Sequence, residues 1–408
     1  MKVLGIISEY NPFHSGHNFQ IENAKKITGA EVVIAIMSGN FVQRGEPAVM
    51  NKWQRAECAL NNGIDLVIEL PCIYATASAE MFAMGGVRLA DMLGIDYLSF
   101  GAESTDISQL ERIAGFLSDE SSEYQSILNE MLSSGDNFAK AREKALISCL
   151  GDEKIAHIIS SPNNILAIEY LKAIIRNKSS IQPVIIKREG AGYNDLCTEA
   201  IHASASGIRE LIKTGNFDNT PFLSAFTKAL LKKEYKTTFP VFNNDTTSLL
   251  YYALLSNRDF MNFSDSNKNI SDKIINAMKK YNFLSTDELI MKIKSREITH
   301  TRLSRVLCHI LLGITNEMTN YVKCRNYPVY AHVLGLNESG KKFLNTIKKT
   351  KDIPVITRPG HDKNNIPENL QPIIDLDFRA TKIFNLIIKN KFGSDLSDDF
   401  RTPPVISS

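Results

Sequence analysis

Four short, β-rich apolar runs at residues 3–7, 31–37, 65–70 and 97–100 alternate with helical stretches at 18–28, 52–61 and 80–93. Strands this short and this apolar belong in a sheet covered on both faces. A single-helix crossover between successive strands makes them parallel and right-handed. A fifth run, 183–187, follows an interval of about 105–180 that reads as inserted helices, including 109–117 and 165–175. The predicted fold class is α/β, with a Rossmann-like parallel sheet. In such sheets ligands sit at the carboxyl ends of the strands. Those ends run into 8–17, 38–44, 69–74 and 101–104, four loops expected to converge on one crevice.

The first strand passes into a helix through Glu9-Tyr10-Asn11-Pro12-Phe13-His14-Ser15-Gly16-His17. Unpaired N–H groups and the positive end of the helix dipole make such a junction an anion site. Two imidazoles three residues apart, with Gly16 letting the backbone approach, suit a polyphosphate that leaves as a charged group. The alternative is a buried helix start with two capping histidines. A second candidate clamp is His202-Ala203-Ser204-Ala205-Ser206-Gly207-Ile208-Arg209, where hydroxyls and N–H groups open a helix with an arginine one turn in. Alone it would read as an N-cap serine and a surface arginine. Paired with the histidines it suits a triphosphate gripped from two sides.

The 408 residues allow two domains, and 43% apolar with 23% charged residues is ordinary for a soluble globular chain. No apolar run approaches the roughly 18 residues of a membrane helix, and no signal peptide is legible. The six cysteines are scattered without a C-x-x-C pair, which fits a reducing cytoplasm and argues against a zinc ribbon or disulfide framework. The net charge of +2 hides a polarity. Residues 1–120 carry 8 Lys/Arg against 15 Asp/Glu, while 292–360 carry 13 against 4. Solvated surfaces explain this, and so does a nucleic-acid footprint on the C-terminal part. Past about residue 215 the texture becomes lysine-rich and helical, at 225–235, 248–255, 270–280 and 302–312, with connecting segments at 214–220 and 239–247. The expected organisation is a catalytic domain over 1–220 with a helical insertion at about 105–180, a mainly helical basic region over 221–392, and a polar tail over 393–408.

His14-x-Gly16-His17 with Ser204-x-Ser206-x-x-Arg209 resembles the signature pair of the HIGH nucleotidyltransferase superfamily, which shares its fold with class I aminoacyl-tRNA synthetases. Longer blocks, at 9–17, 37–48, 65–71, 100–103, 161–164 and 187–193, resemble the bacterial tRNA(Met) cytidine acetate ligase family. The likeness is strongest over 1–210 and continues more weakly through Thr301-Arg302-Leu303-Ser304-Arg305. Ala205 departs from the superfamily pattern, where a third hydroxyl is common. The resemblance implies a two-step ligase: acetate attacks the α-phosphate of ATP, and the acetyl group passes to the wobble cytidine of elongator tRNA(Met), forming N4-acetylcytidine. It implies catalytic roles for His14, His17, Ser204, Ser206 and Arg209. It implies ATP contacts from Ile7, Ser8, Glu9, Tyr10, Asn11, Pro12, Phe13, Ser15, Gly16, Asn18, Phe19 and Gln20, and from Gly101, Asn163 and Arg188.

Other polar residues keep two readings. Arg44 and Lys52 lie near a strand end, where they would meet acetate, phosphate or RNA, or form a solvated face. Glu9 orients an imidazole or caps the helix. Asn163 and Arg188 on chemistry alone read equally as a turn asparagine and a surface cation. His157, His300, His309, His332 and His361 lack a ligand pattern, and Trp53 reads as packing. No dedicated metal cage is legible, so Mg2+ would ride on the phosphates. Arg302, Arg305, Lys323, Arg325, Lys341 and Lys342, with Lys348, Lys349 and Lys351, are the candidate RNA contacts. Expected partners are elongator tRNA(Met) and acetate, with no membrane and no obligate protein partner. The rivals are a small-molecule adenylyltransferase of the same superfamily, which needs no basic second region, and a nucleotide-sensing or RNA-binding protein with a dead site.

Overall fold

The computed structural model describes all residues except Thr105, Asn137, 188–204, 363–365 and 408. Five parallel strands form the centre: β1 (Val3–Ser8), β2 (Val32–Ser38), β5 (Leu66–Leu70), β6 (Tyr97–Ala102) and β7 (Gln182–Lys187). Their spatial order is β5-β2-β1-β6-β7. The chain runs outward from β1 to β5, then crosses back to start again at β6, so the order reverses between β1 and β6. That switch point is where adjacent strand-end loops separate and leave a crevice.

Strand register follows from the two-sided apolar pattern. In β2, Val32, Ile34 and Ile36 face one buried cluster while Val33, Ala35 and Met37 face the other. The first cluster is completed by helices Ala79–Leu93 and Pro162–Arg176, the second by Ser15–Thr28, Lys52–Leu60, Ala205–Lys213 and Ala225–Glu234. Each large side chain buried this way contributes about 1.5–3 kcal/mol. A one-residue slip would exchange the two faces. The expected insertion forms helices Ile107–Ser118, Ser122–Ser133, Phe138–Leu150 and Lys154–Ile159. A third cluster lies among Thr247–Ser256, Lys268–Lys280, Thr286–Ile293 and His300–Leu312, a small helical unit with its own core. Among the described residues no helix is long and apolar enough to cross a membrane.

The C-terminal region is mainly helical, as expected, and it also returns short strands to the sheet. Strand β8 (Ala331–Leu336) pairs antiparallel with β5, and β9 (Val355–Ile356) and β10 (Val405–Ile406) pair with the two ends of β8. The segment read as a polar tail thus returns to the sheet. The remaining short strands, β3 (Phe41–Val42) and β4 (Glu46–Pro47), form a hairpin beyond β2.

Lys52 explains how the tail is held, and it corrects both readings of that residue. Its ammonium is fully buried, 2.7 Å from Glu69 Oε2 and 2.5 Å from Asp399 Oδ1, while His332 Nδ1 lies 2.6 Å from the same Glu69 oxygen. Burial alone would push the Glu69 carboxyl up, but Lys52 and His332 outweigh it and hold the group at about 2. A depressed carboxyl contributes stability that is complete above its unfolded value near 4.5 and is lost as pH falls toward about 2. Lys52→Met leaves the buried Asp399 carboxylate without its cation and Glu69 with only His332 beside it. It is expected to cost roughly 3–5 kcal/mol at neutral pH in denaturant unfolding, with the deficit shrinking as pH drops through 4.5.

Candidate active site

The helix Ser15–Thr28 begins at the carboxyl end of β1, and its cap is built from the two histidines. His14 Nδ1 accepts from the Gly16 N–H at 3.1 Å, and His17 Nδ1 accepts from the His14 N–H at 3.2 Å. These bonds assign the ring proton of each neutral imidazole to Nε2. The rings stack with centroids 3.8 Å apart, and Tyr10 meets the His17 ring edge-on at 4.9 Å. Capping and ligand-facing readings of the histidines are therefore compatible, because the cap uses Nδ1 and orients Nε2. Tyr10 holds φ at +46°, a left-handed conformation that is unfavourable for a bulky residue and sharpens the turn out of β1.

Arg209, one turn into Ala205–Lys213, reaches back to this loop. Its Nη1 donates to the Asn11 carbonyl at 3.0 Å, and its Nη2 donates to Ser206 Oγ at 3.1 Å. Asn11 in turn accepts the Val49 N–H on Oδ1 at 2.8 Å, which locks the loop to the segment after β4. The two sequence motifs thus meet at one end of the sheet, joined through Asn11. Ser204, His202 and Arg188 lie outside the described residues.

The hairpin brings two more charges. Arg44 sits among Glu9, Arg209 and Glu46; burial and the neighbouring Arg209 disfavour its charge, while the carboxylates support it. Burial raises the Glu46 carboxyl, against the opposing pull of Arg209 and Arg44. Glu9 Oε1 accepts the Gln43 N–H at 3.0 Å, so it anchors the hairpin. The turn is seated by Gly45, at φ +76°, where an added Cβ would lie 2.4 Å from Arg305 Cα. Only glycine allows this approach of hairpin to helix.

On the other side of the switch point, Gly101 lies near the end of β6, paired with Ile186 of β7. Asn163 donates to Glu103 from the first turn of Pro162–Arg176. The adjacent Asn164 is buried, and its Oδ1 accepts the N–H groups of Glu103 and Ser104, each at 3.0 Å. Gln20 ties the first helix to β6 by donating to the Ser99 carbonyl at 3.2 Å. Ile7 and Ser8 end β1; Pro12 and Phe13 are buried in the loop; Ser15, Asn18 and Phe19 are half-buried on the helix start.

Arg55 is the site residue that the sequence reading missed. Fully buried, it donates to the carbonyls of Met50, Glu9 and Ser38 at 3.1, 2.6 and 3.0 Å, and also to Gly39. Burial lowers it to about 10 despite Glu9 and Glu69. No local signal marks it, because its helix mixes four charged or amide residues with five apolar ones and reads as an ordinary half-exposed helix. Among the described residues the only trio of clustered candidate metal ligands is Glu69, His332 and Asp399, and Lys52 already supplies the positive charge there.

The six candidate RNA contacts are spread over three helices and their ends. Arg302 donates to the Asp265 carbonyl at 3.1 Å and Arg305 to its carboxylate at 2.6 Å. Arg325 stacks on Tyr321 at 3.8 Å, near the exposed Lys323. Lys341 and Lys342 open the helix Glu338–Thr350, which docks beside Asp65 just before β5, the edge of the parallel strands opposite the crevice.

The model of the HIGH Nucleotidyl Transferase family matches residues 1–399. The tRNA(Met) cytidine acetate ligase of Caldanaerobacter subterraneus subsp. tengcongensis is 42% identical over 393 residues, 96% of each chain. That of Clostridium novyi is 36% identical over 415 residues, 99% of each. The chain belongs to the tRNA(Met) cytidine acetate ligase family. Its fold matches Thermotoga maritima TmcAL, in the apo form with a TM-score of 0.91 at 31% identity and in a form bound with alpha-thio ATP with 0.89 at 30%. Both matches cover 100% of this chain and 99% of the other. Family members of this kind are ATP-binding ligases on a nucleotidyltransferase fold, and the α/β expectation holds across the sheet.

Replacing Arg55 with lysine puts one ammonium where a fork reaches four carbonyls. Arg55→Lys is expected to lower stability by at least about 2 kcal/mol, read from thermal unfolding.

Proposed function

We propose that this protein is an ATP-dependent tRNA(Met) cytidine acetate ligase. The observation that carries the reading is the Arg209 bridge to Asn11, which sets Ser206 and Arg209 against the loop of His14 and His17 at the β1/β6 switch point. Relatives named as such ligases over nearly the whole chain, and an ATP-analogue complex of a structural neighbour, support it.

ATP binds with its triphosphate against the N-terminus of Ser15–Thr28. The Nε2–H edges of His14 and His17 face the leaving oxygens, and Arg209, Ser206 and Ser204 face them from the second clamp. Arg44 adds positive charge beside Arg209. Gly101 and Asn163 border the nucleotide on the β6 side, with Arg188. An acetate oxygen attacks the α-phosphorus, the bond to the β-phosphate oxygen breaks, and pyrophosphate leaves. Such a displacement needs alignment and charge neutralisation rather than a protein nucleophile. The cytidine N4 amine then attacks the acetyl carbonyl, AMP leaves, and the amine loses a proton. Mg2+ would be carried on the phosphates, since the described residues offer it no cage.

With labelled acetate, ATP and bulk tRNA, the label is expected in cytidine after nucleoside digestion. Label found only in adenylate would overturn the transfer step. His17→Ala and Arg209→Ala are each expected to reduce acetate-dependent pyrophosphate exchange by about 10²–10³-fold. Unchanged exchange in both would remove the triphosphate role assigned to the two clamps.

A further inference from the structure

The helical unit with its own core presents an aromatic and basic face that its packing does not use. In the loop after Lys268–Lys280, Phe283 is 60% exposed, yet its ring is held against Tyr251 with centroids 4.4 Å apart. Tyr251 is itself buried, and its hydroxyl accepts the Leu284 N–H at 2.8 Å, so the loop has one defined position. Two residues earlier, the half-buried Tyr281 ring has the ammonium groups of Lys280 and Lys292 at 5.5 and 5.4 Å. Met291 adds exposed apolar surface on the next helix.

The acidic residues nearby are engaged locally. Glu288 accepts from the Ser285 N–H and hydroxyl, both at 2.8 Å, and Asp287 accepts from Asn243 at 2.7 Å. Residues 268–297 carry 7 Lys/Arg against 4 Asp/Glu. An exposed ring supported on one face by a buried tyrosine, with a lysine-flanked ring two residues away, is what a stacking platform for unpaired bases requires, with the cations meeting the backbone.

The helical unit also packs on the hairpin that carries Arg44, where Ser304 donates to the Gly45 carbonyl at 3.1 Å. Thr286 bonds Thr246 at 3.1 Å, and Asp287 and His300 lie within electrostatic reach of Glu46 on the hairpin that carries Arg44. Thr286 follows Phe283 by three positions, a reach of at most about 10 Å.

We propose that Phe283 and Tyr281, flanked by Lys280 and Lys292, form the platform on which an unpaired nucleotide of the substrate tRNA stacks while its cytidine enters the crevice. This rests on the acetate-ligase reading, and it moves the RNA footprint away from Lys341 and Lys342.

The test compares wild type, Phe283→Ala, Phe283→Trp and the double variant Lys280→Glu/Lys292→Glu. Readouts are the Kd for an anticodon stem-loop of tRNA(Met), acetate-dependent pyrophosphate exchange without RNA, and sedimentation. Phe283→Ala is expected to weaken binding roughly 5- to 150-fold with exchange unchanged, and Phe283→Trp to retain it. The double variant is expected to weaken binding and flatten its salt dependence by about 1–2 in the log–log slope. Unchanged affinity in Phe283→Ala overturns the platform, as does a change in self-association in place of RNA binding. Wild type that binds the stem-loop but transfers no acetyl group overturns the ligase reading alone, and the Kd comparison still decides the platform.

Discussion

Four backbone carbonyls, from Glu9, Ser38, Gly39 and Met50, converge on the guanidinium of Arg55. Parallel strands end in loops whose carbonyls point away from any ladder, and a buried loop cannot leave them unpaired. A planar fork with five donors satisfies several at once, which an ammonium cannot do. By taking the carbonyls after both β1 and β2, Arg55 sets those two loops in one geometry. The histidine loop, the hairpin and Glu9 inherit their positions from it.

Lys52 stands one turn earlier on the same helix face, and it does for the C-terminal region what Arg55 does for the loops. A lone buried ammonium would be intolerable; between Glu69 and Asp399 it becomes a tether that joins residue 399 to the end of β5. The clustered ligand set of Glu69, His332 and Asp399 is thus filled by a side chain rather than requiring an ion.

At the crevice, the side chains that build the structure are those that the proposed chemistry draws on. His14 and His17 close the helix start through Nδ1, and the cap does not use their protonated Nε2 edges. Arg209 likewise spends one nitrogen on the Asn11 carbonyl and another on Ser206, which aims the guanidinium across the loop. Preorganisation of this kind comes from the loops' own hydrogen bonds. In the proposed reaction the triphosphate would meet donors already held in place.

Local pattern made much of this legible in the sequence. The five central strands, the helices between them and the histidine motif at the end of β1 are read from contiguous residues, because periodicity and capping act over a few positions. Lys52 misled a residue-by-residue reading and Arg55 escaped it, since cations on a helix ordinarily face water. β8 was hidden because its apolar run is short and lies among lysine-rich helices, and it becomes a strand only against β5. The partners that decide these cases are far away in the chain: Asp399 is 347 positions from Lys52, and Arg209 is 198 from Asn11. The sequence alone determined the α/β alternation and the positions of the two motifs that the proposed chemistry uses, which neighbouring residues encode. Only the tertiary structure decided which charges are buried, how the C-terminus closes the sheet and which side chains share the crevice, because those outcomes depend on partners that no local pattern brings together.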